Sequence, residues 1–274
     1  ALRISPEAPV PILKIRNTEH SCGGAASVVN DLCVLGAHPF CIGVIGNDQN
    51  GKTLRDLLTK AGADITGLLT VTDRPTISKQ RLVGLAQHRH QQQLFRMDEE
   101  STEPFSDEQC DKILQNYRSI LKQVEVVCLQ DYNKGMLSAA MCKQMIQLAK
   151  KAGKKVLVDP CLTSDYSKYV GASLITPNRN EASAAVGFEI TNPQTAAKAA
   201  EKLYDMLKLE AAVITLDREG AYLKTSTLSE SVPTRPRKVY DVTGAGDMVL
   251  ATLAITLAAG CDDQTAVQLA NITG

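Results

Sequence analysis

Two glycines and an aspartate precede a long apolar segment, and this spacing is typical of a site that binds an anion. Gly244, Ala245 and Gly246 come just before Asp247 and the apolar run 248–259. The free amides at the start of a helix, together with the helix dipole, can hold a phosphate group. A carboxylate in the same turn would oppose that binding, unless it accepts the proton of a hydroxyl that attacks the phosphate. The pattern favours phosphoryl transfer with Asp247 as the base, although an ordinary glycine turn explains the same residues.

Other polar residues stand where apolar segments end, at the expected rim of a ligand site. Asp131 and Lys134 follow one such segment and Asp159 follows another; a solvated turn would explain each equally well. Asn178 and Glu181 have the spacing of a helix capping box, which is a sufficient structural reason for both.

A second phosphate-binding pattern competes with the first. Residues 46–53 match Gly-x-x-x-x-Gly-Lys-Thr, follow a predicted strand and open a predicted helix, as a P-loop requires. In that alternative Lys52 binds the nucleotide phosphates and the strand 126–129 before Asp131 supplies the acidic partner. From the residues alone this P-loop alternative stays open.

The elements that must position these residues alternate regularly along most of the chain. The predicted helices are 25–35, 52–61, 107–121, 139–152, further helices within 181–207, one after Asp247 and one from about residue 262. The predicted strands are 40–45, 124–129, 155–158, 173–176 and 211–216, with a hairpin of 220–223 and 238–240. Helices that alternate with apolar strands predict a parallel sheet with its ligands at the carboxyl ends of the strands. At 274 residues the chain has room for one such α/β domain.

A change of period marks a second, smaller sheet. The segment 65–98 alternates with period two, and we predict strands at 65–70, 76–82 and 92–97. With the proline-rich start and its alternating segment 12–15, roughly residues 1–20 and 65–98 are expected to form a lid. Its charged residues suit either a solvated flap or a clamp for a second, non-transferred phosphate: Lys79, Arg81, Arg96 and Asp98. We also expect both ends to be truncated and the first core strand to be missing.

Composition excludes several classes of function. Thirty basic and 30 acidic residues give a net charge of +0, which offers no electrostatic footprint for nucleic acid or for an anionic membrane. The 8 scattered cysteines indicate free thiols in a reducing compartment, and the apolar run after Asp247 is too short to span a bilayer. His88 and His90 are typical of an exposed polar turn. We therefore expect a cytoplasmic protein with small-molecule partners.

The full string from Asp241 to Asp247, Asp-Val-Thr-Gly-Ala-Gly-Asp, resembles the signature of ribokinase-like sugar kinases of the phosphofructokinase-B type. The resemblance implies a Rossmann-like, mostly parallel sheet flanked by helices, with a small β-sheet lid. It also implies that Asp247 is the catalytic base and that the amides of 244–246 stabilise the moving phosphoryl group. Gly46, Asp48 and Gly51 match a Gly-x-Asp-x-x-Gly pattern of the same family, which makes the P-loop match a coincidence.

The resemblance also assigns the nucleotide and sugar residues. Asn178 and Glu181 would organise Mg²⁺ and the ATP phosphates, with Glu181 acting on the metal through water. The ATP site would further include the loop residues Thr215, Asp217 and Gly220, where Asp217 replaces the usual glycine, and Asn271. The glycine pair Gly23 and Gly24 would bind sugar, with Ser27 in place of the usual Asn. A K⁺ ion is compatible with the resemblance.

Segments 3–11, 92–98 and 131–135 are most similar to the heptose 7-phosphate kinases of this family. This implies transfer of phosphate from ATP to the anomeric hydroxyl of D-glycero-β-D-manno-heptose 7-phosphate, for ADP-heptose and lipopolysaccharide synthesis. The resemblance assigns these residues to the phosphosugar: Lys79, Arg81, Arg96, Asp98, Asp131 and Lys134. It also implies a homodimer through the lid, and no room for the nucleotidyltransferase domain found in some such enzymes. Alternatives are a kinase of fructose 1-phosphate or tagatose 6-phosphate, a P-loop NTPase, or a silent sugar-binding protein.

Overall fold

The computed structural model describes residues 3–84, 92–234 and 244–274. The described strands are β1 (Arg3–Ile4), β2 (Pro11–Ile12), β3 (Phe40–Gly46), β4 (Asp64–Val71), β5 (Ser78–Gly84), β6 (Gln92–Glu99), β7 (Val126–Gln130), β8 (Lys155–Asp159), β9 (Leu174–Ile175), β10 (Ala211–Thr215), β11 (Ala221–Thr225) and β12 (Ser229–Val232). The described helices are α1 (Ala25–Val34), α2 (Gln49–Ala61), α3 (Asp107–Ile120), α4 (Ala139–Lys151), α5 (Arg179–Val186), α6 (Pro193–Leu207), α7 (Ala245–Ala258) and α8 (Asp263–Thr273).

The central sheet has the strand order β12-β11-β10-β9-β8-β7. Strands β7 to β10 run parallel, and β11 and β12 add two antiparallel strands at one edge. Because neighbouring parallel strands end at the same edge of a sheet, the residues after β7, β8, β9 and β10 lie side by side. The predicted α/β alternation is confirmed for these strands.

Side chains that alternate along each strand enter two separate cores. Leu157, Leu174 and Val213 pack with α1, α7 and α8 on one face of the sheet. Val158 and Ile175 are fully buried on the other face, where α3 to α6 cover them. Helix α7 is apolar on nearly all sides and lies in the first core, which explains why its sequence lacks a polar stripe.

The assignment of 65–70 to the lid was wrong. β4 pairs in parallel with β3, with Gly43 opposite Leu68, and α2 forms the crossover between them. Gly67 permits this pairing, because a Cβ atom there would lie 2.5 Å from the Cys41 carbonyl oxygen. The period of two in β4 arises because one of its faces packs on α3 and the other is more exposed.

The lid itself is a two-stranded antiparallel sheet of β5 and β6, with every residue of β6 exposed. β1 and β2 form another short antiparallel pair. Of the predicted strand 12–15, only Ile12 is in a strand, together with Pro11 before it. The partner predicted for the 220–223 hairpin was also wrong. β11 pairs with Ser229–Val232, a short strand whose polar residues carry little apolar pattern, whereas 238–240 lies outside the described residues. The same holds for Asp241 to Thr243, His88 and His90.

All eight cysteines carry free thiols. Within the described ranges, no helix combines the length and the apolar character that a membrane crossing requires.

Candidate active site

The start of α7 has the geometry of an anion site. Gly244 is its N-cap with φ +86°, a left-handed conformation that favours glycine, and Ala245 is the first helical residue. No side chain of the described residues caps this helix, so its first amides are left to solvent or to a ligand. Asp247 lies in the same turn and is partly buried.

The carboxylate of Asp247 is held by groups from β7 and α1. Its Oδ1 accepts hydrogen bonds from the Tyr132 hydroxyl and from Gln130 Nε2, both at 3.1 Å. Burial raises the pKa of Asp247, while hydrogen bonds from Tyr132 and Ser27 act to lower it. The carboxylate is therefore oriented and only partly solvated, as a general base requires.

Asp159, at the end of β8, belongs to the same cluster. Its Oδ2 lies 2.6 Å from Gln130 Nε2. Burial raises the pKa of Asp159 to about 7, and the negative charges of Glu181 and Asp247 add to that rise. The sequence indicated Asp159 only weakly and gave no sign of Gln130 or Tyr132; their place at the carboxyl ends of β7 and β8 was the available signal.

Asn178 and Glu181 form the predicted capping box at the start of α5. Asn178 Oδ1 accepts from the amides of Asn180 and Glu181 at 2.9 and 3.0 Å, and Glu181 Oε2 accepts from the Asn178 amide at 2.8 Å. Burial raises the pKa of Glu181. An isolated parallel bridge pairs Asn178 with Thr215, which brings two predicted nucleotide residues side by side.

The loop after β10 needs glycine-like geometry at two positions. Asp217 has φ +55°, in the left-handed region, and its exposed carboxylate pairs with Arg179 at 3.2 Å. Gly220 has φ +93°, and a Cβ atom there would lie 2.2 Å from the Val232 carbonyl oxygen. Asn271 donates to that same carbonyl at 2.7 Å, so its amide supports this loop in the structure.

The predicted sugar-binding glycine pair lies beside Asp247. Gly24 is the N-cap of α1 with φ +56°, and Gly23 precedes it. A Cβ atom on Gly24 would lie 3.4 Å from the Tyr132 ring. Ser27, in the first turn of α1, interacts with the Asp247 carboxylate. The α1 turn and the α7 turn thus form two walls of one cleft.

The structure does not place Asp131 in that cleft. Its side chain is almost fully buried, accepts a hydrogen bond from Tyr169 at 2.7 Å and forms an ion pair with Lys168 at 2.5 Å. Both partners lie in the segment after β8. Asp131 therefore ties the loop after β7 to that segment and does not face the cleft. Lys134 lies nearer the surface and pairs with Glu100 at 2.6 Å, which joins this loop to the end of the lid.

The lid presents one charged face. Lys79 lies opposite Asp98, and Arg81 lies opposite Arg96, so these four share a face of the two-stranded sheet. Arg96 forms a bidentate pair with Asp98 at 2.6 and 2.8 Å, and hydrogen bonds from Arg96 and Lys79 lower the pKa of Asp98 to about 2. Arg81 has no ion pair within the described ranges, and two guanidinium groups directly opposite one another favour an anion between them.

The structure contradicts the P-loop alternative. Asp48 Oδ1 accepts from the Gly51 amide and Oδ2 from the Thr76 amide, both at 2.7 Å. The carboxylate thus occupies the helix start that a nucleotide phosphate would need, and Lys52 projects from an exposed position of α2.

Comparison with known proteins agrees with this geometry. A family model described as pfkB family carbohydrate kinase matches residues 2–274. The bifunctional protein HldE of Helicobacter hepaticus is 39% identical over 270 residues, which cover 98% of this chain and 55% of that protein. The chain spans about half the length of the curated relatives it matches.

Solved structures share the fold. The tetrameric inhibited form of phosphofructokinase-2 from Escherichia coli has a TM-score of 0.73 at 21% identity, covering 98% of this chain and 86% of that one. Arabidopsis thaliana ribokinase complexed with ribose and ATP has a TM-score of 0.70 at 19% identity, covering 91% and 78%. The predicted ribokinase-like fold is confirmed.

Proposed function

The chain belongs to the pfkB family of carbohydrate kinases, and from this premise we propose that it phosphorylates the anomeric hydroxyl of D-glycero-β-D-manno-heptose 7-phosphate with ATP. The observation that carries the proposal is the uncapped start of α7 with the oriented carboxylate of Asp247 in its first turn. The resemblance of segments 92–98 and 131–135 to heptose 7-phosphate kinases supports this sugar, as does the likeness to HldE. Any second activity of those longer relatives is not assigned to this chain.

The reaction follows from the arrangement of charges. The amides at 244–246 neutralise the γ-phosphoryl group as it moves, because their partial positive charge lies where the phosphate charge builds up. Asp247 accepts the proton of the attacking hydroxyl, whose oxygen bonds to the γ-phosphorus as the bond to the bridging oxygen breaks and ADP leaves. The loop after β10 and the start of α5 place the nucleotide, and the α1 turn with Gly23 and Gly24 places the sugar opposite it. Catalysis is then mostly positioning.

A magnesium ion fits the acidic side of this cleft. Asp159 is repelled by the charges of Glu181 and Asp247, and none of the three has a Lys or Arg ion pair within the described ranges. Mg²⁺ is usually held by one or two carboxylates, water and substrate phosphates. We assign the water-mediated contact to Glu181; when bound, the ion neutralises the phosphates. For K⁺, the supporting fact is that Escherichia coli phosphofructokinase-2 has been solved in complex with potassium.

The charged face of the lid suits the second phosphate of the sugar. Arg81 and Arg96 lie opposite one another, and a phosphate dianion can bridge them in bidentate fashion. Lys79 and Lys134 both lie near Glu100, at 3.9 and 2.6 Å, and form the adjoining edge. We assign this cluster to the 7-phosphate.

The test is a kinase assay with a panel of sugar phosphates. Purified protein, ATP and Mg²⁺ are incubated with heptose 7-phosphate, fructose 1-phosphate, tagatose 6-phosphate or no sugar, and products are identified by ³¹P NMR. We expect a new anomeric phosphate from the heptose alone, and its loss when EDTA removes the metal. Turnover of another sugar phosphate would correct the substrate. Sugar-independent ATP hydrolysis, or sugar binding without turnover, would refute the kinase proposal.

A further inference from the structure

The hydrogen bonds around Asp247 make Gln130 and Tyr132 donors to its carboxylate. Gln130 Nε2 lies 2.6 Å from Asp159 Oδ2, 3.1 Å from Asp247 Oδ1 and 3.2 Å from the Tyr132 hydroxyl oxygen. An amide nitrogen donates and does not accept, so the single hydroxyl proton of Tyr132 points to Asp247 Oδ1. Gln130 and Tyr132 are therefore both directed at the same oxygen of Asp247.

Tyr132 is held in place from two sides. The residue before it, Asp131, is locked into the core by Lys168 and Tyr169, and it also accepts a hydrogen bond from the Asn133 amide at 2.7 Å. On the other side the ring lies against Gly24, where an added Cβ atom would stand 3.4 Å from it. The backbone beside Tyr132 is thus anchored, and its ring is supported on one side.

We propose that Gln130 and Tyr132 are positioning residues that hold Oδ1 of Asp247 and so set the orientation of the carboxylate toward the acceptor hydroxyl. The proposal rests on the function assigned above. The terminal torsion of an aspartate is broad and nearly two-fold, so a carboxylate that keeps only Ser27 as a donor samples more orientations. Proton transfer needs one oxygen within hydrogen-bond reach of the hydroxyl, and misplacement by about 1 Å costs as much as 10²-fold in rate.

Tyr132→Phe tests the proposal because it keeps the ring over Gly24 and removes only the donor. We expect kcat to fall about 10-fold while KM for ATP and for the sugar phosphate stays within about twofold. The lost donor favoured the charged carboxylate, so the pKa of Asp247 rises and the acidic limb of the kcat profile moves to higher pH. The other titratable groups near Asp247, Asp31 on α1 and Asp159 on β8, are unchanged by the substitution.

Two further variants make the test specific. Gln130→Met keeps the length of the side chain, removes the second donor and should act in the same direction. Tyr222→Phe is the matched control. It removes a tyrosine hydroxyl on β11 that lies 3.1 Å from the hydroxyl of Ser229 on β12. It should leave kcat and the pH profile unchanged.

A ¹³C NMR titration of the Asp247 carboxyl group in Tyr132→Phe gives a readout that does not need turnover. A raised pKa supports the proposal, and an unchanged pKa or an unchanged kcat overturns it. A variant that binds sugar less tightly at normal kcat would also overturn it, because Tyr132 would then contact substrate. If the wild-type protein phosphorylates no sugar, the proposed function fails separately, and the carboxyl pKa still decides whether Tyr132 holds Asp247.

Discussion

At the residue scale, the cleft is defined by what each carboxylate contacts. Asp247 is oriented by the Tyr132 hydroxyl and the Gln130 amide, and Asp159 accepts from the same amide. Asp131, although next to Tyr132, is buried and forms an ion pair with Lys168 instead. Three aspartates at strand or helix ends thus have three different roles. Residue type and position in the sequence could not separate them, because burial and partners decide the role.

Asp247→Asn should remove the base and keep the helix turn. We expect kcat to fall by roughly 10² to 10⁴ while ATP binding is largely retained. Lys52→Ala on exposed α2 is the comparison, and it should cost no more than a few tenths of a kcal/mol in the free energy of unfolding. Both variants are first checked for native melting, since Asp247 adjoins the buried part of α7. A folded Asp247→Asn enzyme with near wild-type kcat would refute the assignment.

Arg96→Ala and Arg81→Ala should separate the two substrates kinetically. Each is expected to raise KM for the phosphosugar by about 10-fold and to leave KM for ATP within about twofold, because the clamp contributes binding that is equal in ground and transition states. Arg118→Ala, which removes an exposed guanidinium from α3, is the matched control. Equal effects of Arg96→Ala on both substrates would point to a purely structural role through its pair with Asp98.

The pKa of Asp159 makes a prediction about stability. A carboxyl group whose pKa is raised to about 7 in the folded protein, from 3.8, binds its proton more tightly folded than unfolded. The contribution of Asp159 to the free energy of unfolding is therefore fully present below about pH 4 and is lost as the pH rises toward 7. Asp159→Asn should raise the melting temperature at pH 8 more than at pH 5, measured by calorimetry. The carbonyl oxygen of the new asparagine can take the place of Oδ2 and still accept from Gln130 Nε2. The same gain at both pH values would contradict the assignment.

At the element scale, the parallel strands of the central sheet and most of its helices follow from periodicity, because these strands are buried on both faces and the helices other than α7 mainly on one. Two elements could not be predicted in this way. β4 alternates like a lid strand but pairs with β3, since Gly67 allows the close contact, and β12 is too short and polar to be recognised. The residues of the cleft lie at the ends of elements and on the turns between them. The glycine string could be recognised there from the sequence, but the contacts of Gln130 and Tyr132 could not.

Gly220→Ala should disrupt the loop after β10. The new Cβ atom would lie 2.2 Å from a backbone oxygen at a left-handed φ, so we expect a loss of several kcal/mol in unfolding free energy. Gly62→Ala is the matched control: Gly62 also has a left-handed φ, +95°, but nothing lies within 4 Å of the added atom. That variant should lose only about 1 kcal/mol. Similar losses in the two, measured by urea unfolding, would show that steric contact at Gly220 is unimportant.

At the scale of the whole molecule, the lid leaves an apolar face exposed among the described residues. Its second face, opposite the charged one, carries Phe95 and Met97, which are 64% and 58% exposed. Isolated two-stranded sheets are marginally stable in water and need a surface to pack against. We proposed from the sequence that two lids meet, and a second copy of this apolar face is the partner that fits.

We therefore expect a homodimer at micromolar concentration, measured by sedimentation velocity. Phe95→Asp combined with Met97→Lys should shift the protein to a monomer, because the charges would be buried in the contact. Lys112→Ala, on the exposed face of α3, is the control and should leave the dimer unchanged. A wild-type monomer under these conditions would exclude the dimer.

The hydrogen bonds of Asp48 do more than exclude a P-loop. A loop that binds free phosphate depends on the nucleotide for its anion, whereas this loop carries its own anion, tethered three residues before the amide of Gly51 that binds it. The effective concentration of a tethered ligand is high and does not vary with conditions. Since the second oxygen of the same carboxylate holds Thr76, just before β5, the root of the lid is anchored by an internal mimic of a ligand and is independent of the cell's supply of ATP.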